Sequence, residues 1–218
     1  MPNSANLKFR ASVTEGTPGS KIVFDKLFAV SALLFFAPFI LVIAVLILLT
    51  DGRPVFYGHE RVGHRGRRFK CLKFRTMCRD SDQRLLEHLR NSPKAKAEWE
   101  ASRKLTDDPR VSLLGRILRK TSLDELPQLL NILSGDMSTV GPRPIVQDEA
   151  RYYGDNFADY KSLRPGLTGL WQVSGRSDVG YQERVNLDVE YVHNRSFLLD
   201  LKIVAKTIYV VLKREGAQ

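Results

Sequence analysis

The sequence predicts a small α/β domain, richer in helix than strand, carried on an N-terminal re-entrant membrane helix and bearing amphipathic helices that lie on the membrane surface. Three observations predict it. An uncharged apolar run stands near the N-terminus, basic residues flank it on both sides, and the remainder has more stretches of helical spacing than of strand alternation. At 218 residues the chain can bury one core of ordinary size.

Residues 1–20 are polar and rich in Gly, Ser and Pro, and read as a flexible tail. From Leu27 to Leu49 the chain runs "LFAVSALLFFAPFILVIAVLILL" without a charge, about 35 Å as a helix and enough to cross a bilayer. The run is too long for the apolar segment of a signal peptide, and no small-residue cleavage site follows. Lys8, Arg10, Lys21 and Lys26 precede it; Arg53, Arg61, Arg65, Arg67, Arg68 and Lys70 follow. The positive-inside rule then asks for both ends in the cytoplasm. One straight span cannot satisfy that. A helix bent at Pro38, which removes a backbone hydrogen bond mid-run, can. A re-entrant membrane helix over 21–52 is therefore favoured over a single span, with a cytosolic domain over 53–218.

Within that domain, Pro54–Met77 alternates apolar and basic residues between Gly turns and reads as short strands. Residues 80–105 have helical spacing, with Leu85, Leu86 and Leu89 on one face and a break at Pro93. "VSLLGRILRK" is a second amphipathic helix, with Leu114, Ile117 and Leu118 opposite Arg116, Arg119 and Lys120. Loops rich in Gly and Pro follow. The last helical region, about Val185 to Lys213, gathers Phe197, Leu198, Leu201, Val204, Ile208 and Val211 on one face, suited to a core or to a membrane surface.

A formal charge of +10 predicts an anionic partner: nucleic acid, phosphorylated small molecules or acidic lipid. No helix-turn-helix or RNA-binding signature appears, so nucleic acid is not expected. Cys71 and Cys78 have no second pair to close a zinc site and read as reduced cytosolic thiols. Arg67 and Arg68 suit lipid phosphates, and Trp171 a packing or interface role. Gly166, Gly169 and Gly175 suit tight turns.

The chemistry concentrates in "TSLDELPQLLNILSGDMSTVGPRP". Ser122 and Glu125 fit a capping box, an ordinary structural reading. Pro127 argues against it, because proline prefers the first helical position. A helix starting near Pro127 leaves Asp124 and Glu125 just before its N-terminus, where anions gather. Arg116, Arg119 and Lys120 precede the pair, and Arg143 follows, held between two prolines. Two carboxylates among arginines make sense if the ligand is a phosphate with Mg²⁺.

"KFRTM" (Lys73–Met77), "RKTSLDELPQLLNILSGDMSTVGPRP" (Arg119–Pro144) and "RPGLTGLWQVSGRS" (Arg164–Ser177) together resemble the bacterial sugar transferase family. These are monotopic enzymes that load a sugar-1-phosphate onto a lipid carrier at the cytoplasmic face of the bacterial inner membrane. The chain looks most like the short members that load galactose-1-phosphate or glucose-1-phosphate for exopolysaccharide synthesis. The resemblance implies that Asp124 attacks a UDP-sugar and expels UMP, that Glu125 helps hold Mg²⁺, and that undecaprenyl phosphate accepts the phosphosugar. It implies that Arg119, Arg143 and Arg176, with Lys73 and Arg75, meet nucleotide and phosphate, and that Pro38 is the membrane hinge. Asp188 and Asp200 sit where the family carries acids of unassigned role. The family commonly bends its membrane helix at Ser-Pro; here Ala37 precedes the proline. Anionic membrane lipid is an expected contact, and a homodimer is compatible with the motifs. A membrane-tethered basic module without catalysis is the competing reading, and it gives the acidic pair no role.

Overall fold

A computed structural model describes residues 18–102, 105–175 and 180–213. The expected tail, 1–20, falls almost wholly outside them, as does Arg176. Helix α1, Gly19–Thr50, takes in the whole apolar run with Pro38 inside it, and is long and apolar enough to cross a membrane. Only Asp25, Ala29, Ile43 and Ile47 on it are buried. Around Pro38, Leu34, Phe35 and Phe39 stand free of the protein, 73%, 69% and 56% exposed. An apolar stretch this exposed needs a non-aqueous cover.

The two ends of α1 rest on the same domain. Ala29 packs with Phe69, Cys71, Leu129, Ile132 and Met137. Ile43 and Ile47 pack with Phe74 and Leu118. Leu126 touches both clusters.

The expected short strands are β1 (Phe56–Val62) and β2 (Arg68–Phe74), which pair as an antiparallel hairpin, with Tyr57 opposite Lys73, His59 opposite Cys71 and Arg61 opposite Phe69. Opposed residues share a face, so His59, Arg61 and Lys73 project from one side of the hairpin. Helices α2 (Ser81–Asn91) and α3 (Pro93–Ser102) part at Pro93 as the pattern predicts. The leucine face of α2 is not buried in the core. Helix α4 (Leu113–Thr121) begins at Ser112, whose hydroxyl oxygen accepts from the Gly115 N–H at 3.0 Å. It buries Leu118 and turns Leu113 and Ile117 outward.

Helix α5 (Gln128–Ser134) is tied to β2 by Asn131. Its amide donates to Lys70 O and accepts from Leu72 N–H, both at 2.9 Å. One side chain thus completes the strand edge and registers α5 against Lys73, one residue further on. Strands β3 (Ser138–Val140) and β4 (Gly166–Thr168) pair in parallel, with α6 (Phe157–Ser162) in the crossover. Gly166 serves close approach rather than a turn, since a Cβ there would lie 2.2 Å from the Gly141 nitrogen.

The long C-terminal helix divides into α7 (Tyr181–Asn194) and α8 (Phe197–Lys213). Arg195 leaves the helical region, and the Ser196 hydroxyl accepts from Leu199 N–H at 3.2 Å to start the second helix. Asp200, Ile203 and Val210 face the core, whereas Phe197, Leu198, Leu201 and Ile208 face out. The apolar face read from the sequence therefore divides, since Val204 of the same face packs against the core.

Candidate active site

Asp124 lies on a short 3₁₀ turn, Leu123–Glu125, between α4 and α5. Ser122 ends α4 in the left-handed region (φ 57°) without capping the next segment, and Pro127 stands at the N-cap of α5. The capping box does not form, and the acidic pair precedes α5 as the proline predicts. Asp124 is 7% exposed. Lys73 Nζ lies 2.6 Å from Glu125 Oε1 and 3.5 Å from Asp124 Oδ2. Arg119 is near enough to act electrostatically on Asp124, its Nε fixed on Thr76 Oγ1 at 2.9 Å.

Burial pushes the Asp124 carboxyl above the ordinary carboxylate range; Lys73 and Arg119 oppose that, and Glu125 adds to it. Burial works against the Lys73 ammonium, but Glu125 and Asp124 outweigh it and the lysine is raised. The result is a buried, basic carboxylate with fixed cations nearby, an arrangement suited to attack on a phosphoryl group.

A second basic group continues from the first across the hairpin. Arg61 reaches Glu149 at 3.5 Å and His59 Nδ1 at 3.3 Å. The His59 ring is lowered by burial, then by Arg61 and Lys73, so it is held toward its neutral form. Arg143 and Arg184 both lie over the Trp171 ring, at 5.2 and 5.1 Å. The Arg143 N–H donates to the Asp188 carboxylate at 3.2 Å, and the Tyr153 hydroxyl donates to the same carboxylate at 2.7 Å. Asp188 thus stands behind Arg143. Asp200 accepts from the Tyr191 hydroxyl at 2.6 Å and pairs with Lys21 at 3.1 Å, behind β3.

The structure therefore gathers Asp124, Glu125, Lys73 and Arg119, and puts Arg143 in the adjoining basic group. Arg75 stands apart: its Nη2 donates to Asp51 O and Gly52 O, both at 2.6 Å, at the carboxyl end of α1. Its Nε and Nη1 are buried without a hydrogen-bond partner among the described residues. Sequence reasoning passed over Arg61, Arg184, Asn131 and Asp25. For Arg61 the signal was available, as it alternates with His59 on a strand facing the lysine of "KFRTM". Asn131 and Arg184 gave none, because their roles depend on partners far along the chain.

Among the described residues no group of three or more His, Cys, Asp or Glu side chains could hold a metal. The acidic pair still fits Mg²⁺, which is commonly held by one or two carboxylates with substrate phosphates and water completing its shell.

A family model described as "Bacterial sugar transferase" matches residues 17–214. The exopolysaccharide production protein ExoY of Rhizobium meliloti is 54% identical over 198 residues, 91% of this chain and 88% of the relative. The undecaprenyl-phosphate galactose phosphotransferase of Salmonella typhimurium is 56% identical over 167 residues, but these make up only 35% of that protein. A UDP-glucose:undecaprenyl-phosphate glucose-1-phosphate transferase of Caulobacter vibrioides is 37% identical across 90% of this chain and 71% of its own length.

Proposed function

The chain belongs to the bacterial sugar transferase family, and from that premise we propose that it transfers a hexose-1-phosphate from a UDP-sugar to undecaprenyl phosphate as a first membrane step of exopolysaccharide synthesis. It is a sugar-phosphate transferase. Galactose-1-phosphate is the favoured group and glucose-1-phosphate the next, in keeping with the names of the Salmonella and Caulobacter relatives. The observation that carries the reading is Asp124, buried on its turn near Lys73 and Arg119.

In this mechanism the Asp124 carboxylate attacks the β-phosphorus of the donor. The bond to the bridging oxygen breaks, and UMP leaves with the electron pair. The phosphosugar on Asp124 then passes to the carrier's phosphate oxygen, which frees the carboxylate. Lys73, Arg119 and Arg143 neutralise the spread charge of the phosphoryl oxygens. Arg176 belongs to the same set by its motif. Glu125 would be a protein ligand of Mg²⁺, which supplies further charge neutralisation when bound. Membranes bearing the protein, given UDP-galactose or UDP-glucose and undecaprenyl phosphate, should release UMP. UDP would instead indicate transfer of sugar without its phosphate, and release of neither would favour a binding module.

The membrane helix reads as re-entrant, with Pro38 at its bend. Contacts of both its ends with one domain, and the exposed apolar side chains between them, support this. It brings a cytoplasmic-face active site to the level of carrier headgroups, and the outward faces of α4 and α8 suit the surrounding lipid. Cysteines introduced at Gly19 and at Arg53 should react with an impermeant maleimide from the same side of the membrane. Reaction from opposite sides would require a spanning helix.

Asp188 gives the reaction an acidic limb. Burial pushes its carboxyl up to about 7, against the Tyr153 hydroxyl and the Arg143 N–H. Protonation takes away part of its capacity to accept from both. In the wild type, kcat/KM for the donor should fall as pH drops through about 7. Asp188→Asn, neutral at every pH, should stay near the low plateau with no such limb. Stability moves the other way. A carboxyl raised in the folded state contributes most in acid, and that contribution is lost as pH rises from the ordinary carboxylate value through about 7.

A further inference from the structure

At the head of α1, just before its uncharged apolar run, Asp25 is a carboxylate only 2% exposed. An ionisable group in such a place is costly unless it serves something. Its Oδ1 accepts from Thr139 N–H at 3.0 Å and from Lys21 Nζ at 2.8 Å. Its Oδ2 lies 2.8 Å from Ser138 Oγ, whose single proton is shared with Val140 O at 2.9 Å. Lys21 also reaches Asp200. These contacts settle on β3, a strand of three residues whose continuation is Gly141-Pro142-Arg143.

We propose that Asp25 is a positioning residue, fixing β3 against the membrane helix and through β3 the site of Arg143. On its other edge β3 is held by β4, through Ser138 N–H to Pro165 O and Gly141 N–H to Thr168 O. The Thr139 N–H points away from β4 and has Asp25 as its acceptor. Without that acceptor a donor on a residue 1% exposed is stranded, and the strand must shift to satisfy it. Asp188 holds Arg143 from the far side. The loop is thus gripped at two points, one belonging to the membrane leg and one to the catalytic domain. The way the helix sits in the bilayer is thereby tied to the geometry of the phosphate site.

This rests on the reading in which Arg143 meets the donor's phosphates, and the test separates the two. Full-length protein in membranes is given labelled UDP-sugar, and two quantities are read: label bound per chain and donor KM. If the wild type takes no label, the functional reading fails. If it does, Asp25→Leu should keep its label per chain while donor KM rises about tenfold. Asp25→Asn, whose amide still reaches Thr139 and Ser138 and leaves Lys21 with Asp200, should stay within about twofold. A role in folding alone would lower label per chain and leave KM unmoved, and that result overturns the proposal. Equal losses in the two variants would overturn it too. Should Asp25→Leu not reach the membrane, Ser138→Ala carries the test, with a two- to threefold rise in donor KM expected and an unchanged KM counting against it.

Discussion

Asp124→Asn is expected to lower UMP release by on the order of 10⁴-fold or more while leaving the protein folded and in the membrane. The amide matches the carboxyl in shape but has no anionic oxygen to attack phosphorus. The neighbourhood tolerates the exchange, because Lys73 keeps Glu125 at 2.6 Å and Arg119 keeps Thr76. Stability should not fall at neutral pH. The Asp124 carboxyl is raised by burial despite Lys73 and Arg119, so its ionised form weighs against the folded state once pH exceeds the ordinary carboxylate value. A neutral side chain lifts that burden, and the variant should melt at or above the wild-type temperature at pH 7. An inactive, equally stable variant separates a reacting group from a structural one. Retained UMP release would remove Asp124 from the mechanism.

The features legible in the sequence were those written in local pattern. The apolar run, the break at Pro93 and the alternation before "KFRTM" each follow from periodicity or a fixed backbone angle within a few residues. The acidic pair was legible for the same reason, since Pro127 favours the start of a helix over its interior. What the pattern hid were contacts between distant segments. Asp25 was passed over, because nothing local reveals Thr139 and Ser138, more than a hundred residues on, as its partners. Gly166 looks like a turn residue until Gly141 is found against it. The split before Phe197 has neither glycine nor proline to announce it; Tyr191 and Asp200, bonded across the corner, belong to it. Arg75 sits in the recognised motif, yet its side chain donates to Asp51 O and Gly52 O, just past the end of the membrane helix.

Gly115→Ala should cost both stability and catalysis, though alanine is ordinarily the better helix former by about 1 kcal/mol. The glycine is buried on α4, and a Cβ there would lie 2.1 Å from Thr76 O and 2.8 Å from its carbonyl carbon. Backbone cannot swing aside as a side chain can, so the helix must withdraw by about 1 Å to reach ordinary contact. Yet α4 is bound to that same residue by the Ser112 N–H on Thr76 O at 3.1 Å and by Arg119 on its hydroxyl. Withdrawal stretches both and carries Arg119 away from Asp124, which itself follows three residues after the helix. Overpacking of this kind costs about 1–3 kcal/mol, and a displacement of about 1 Å in a reacting site costs about 10²-fold in rate. Thermal melts in detergent and UMP release should show both losses. Gly19→Ala, where a Cβ meets nothing within 4 Å, should show neither. If Gly115→Ala matches the wild type in both assays, α4 has freedom to move without disturbing the site, and the close approach at Thr76 is not what sets Arg119 beside Asp124.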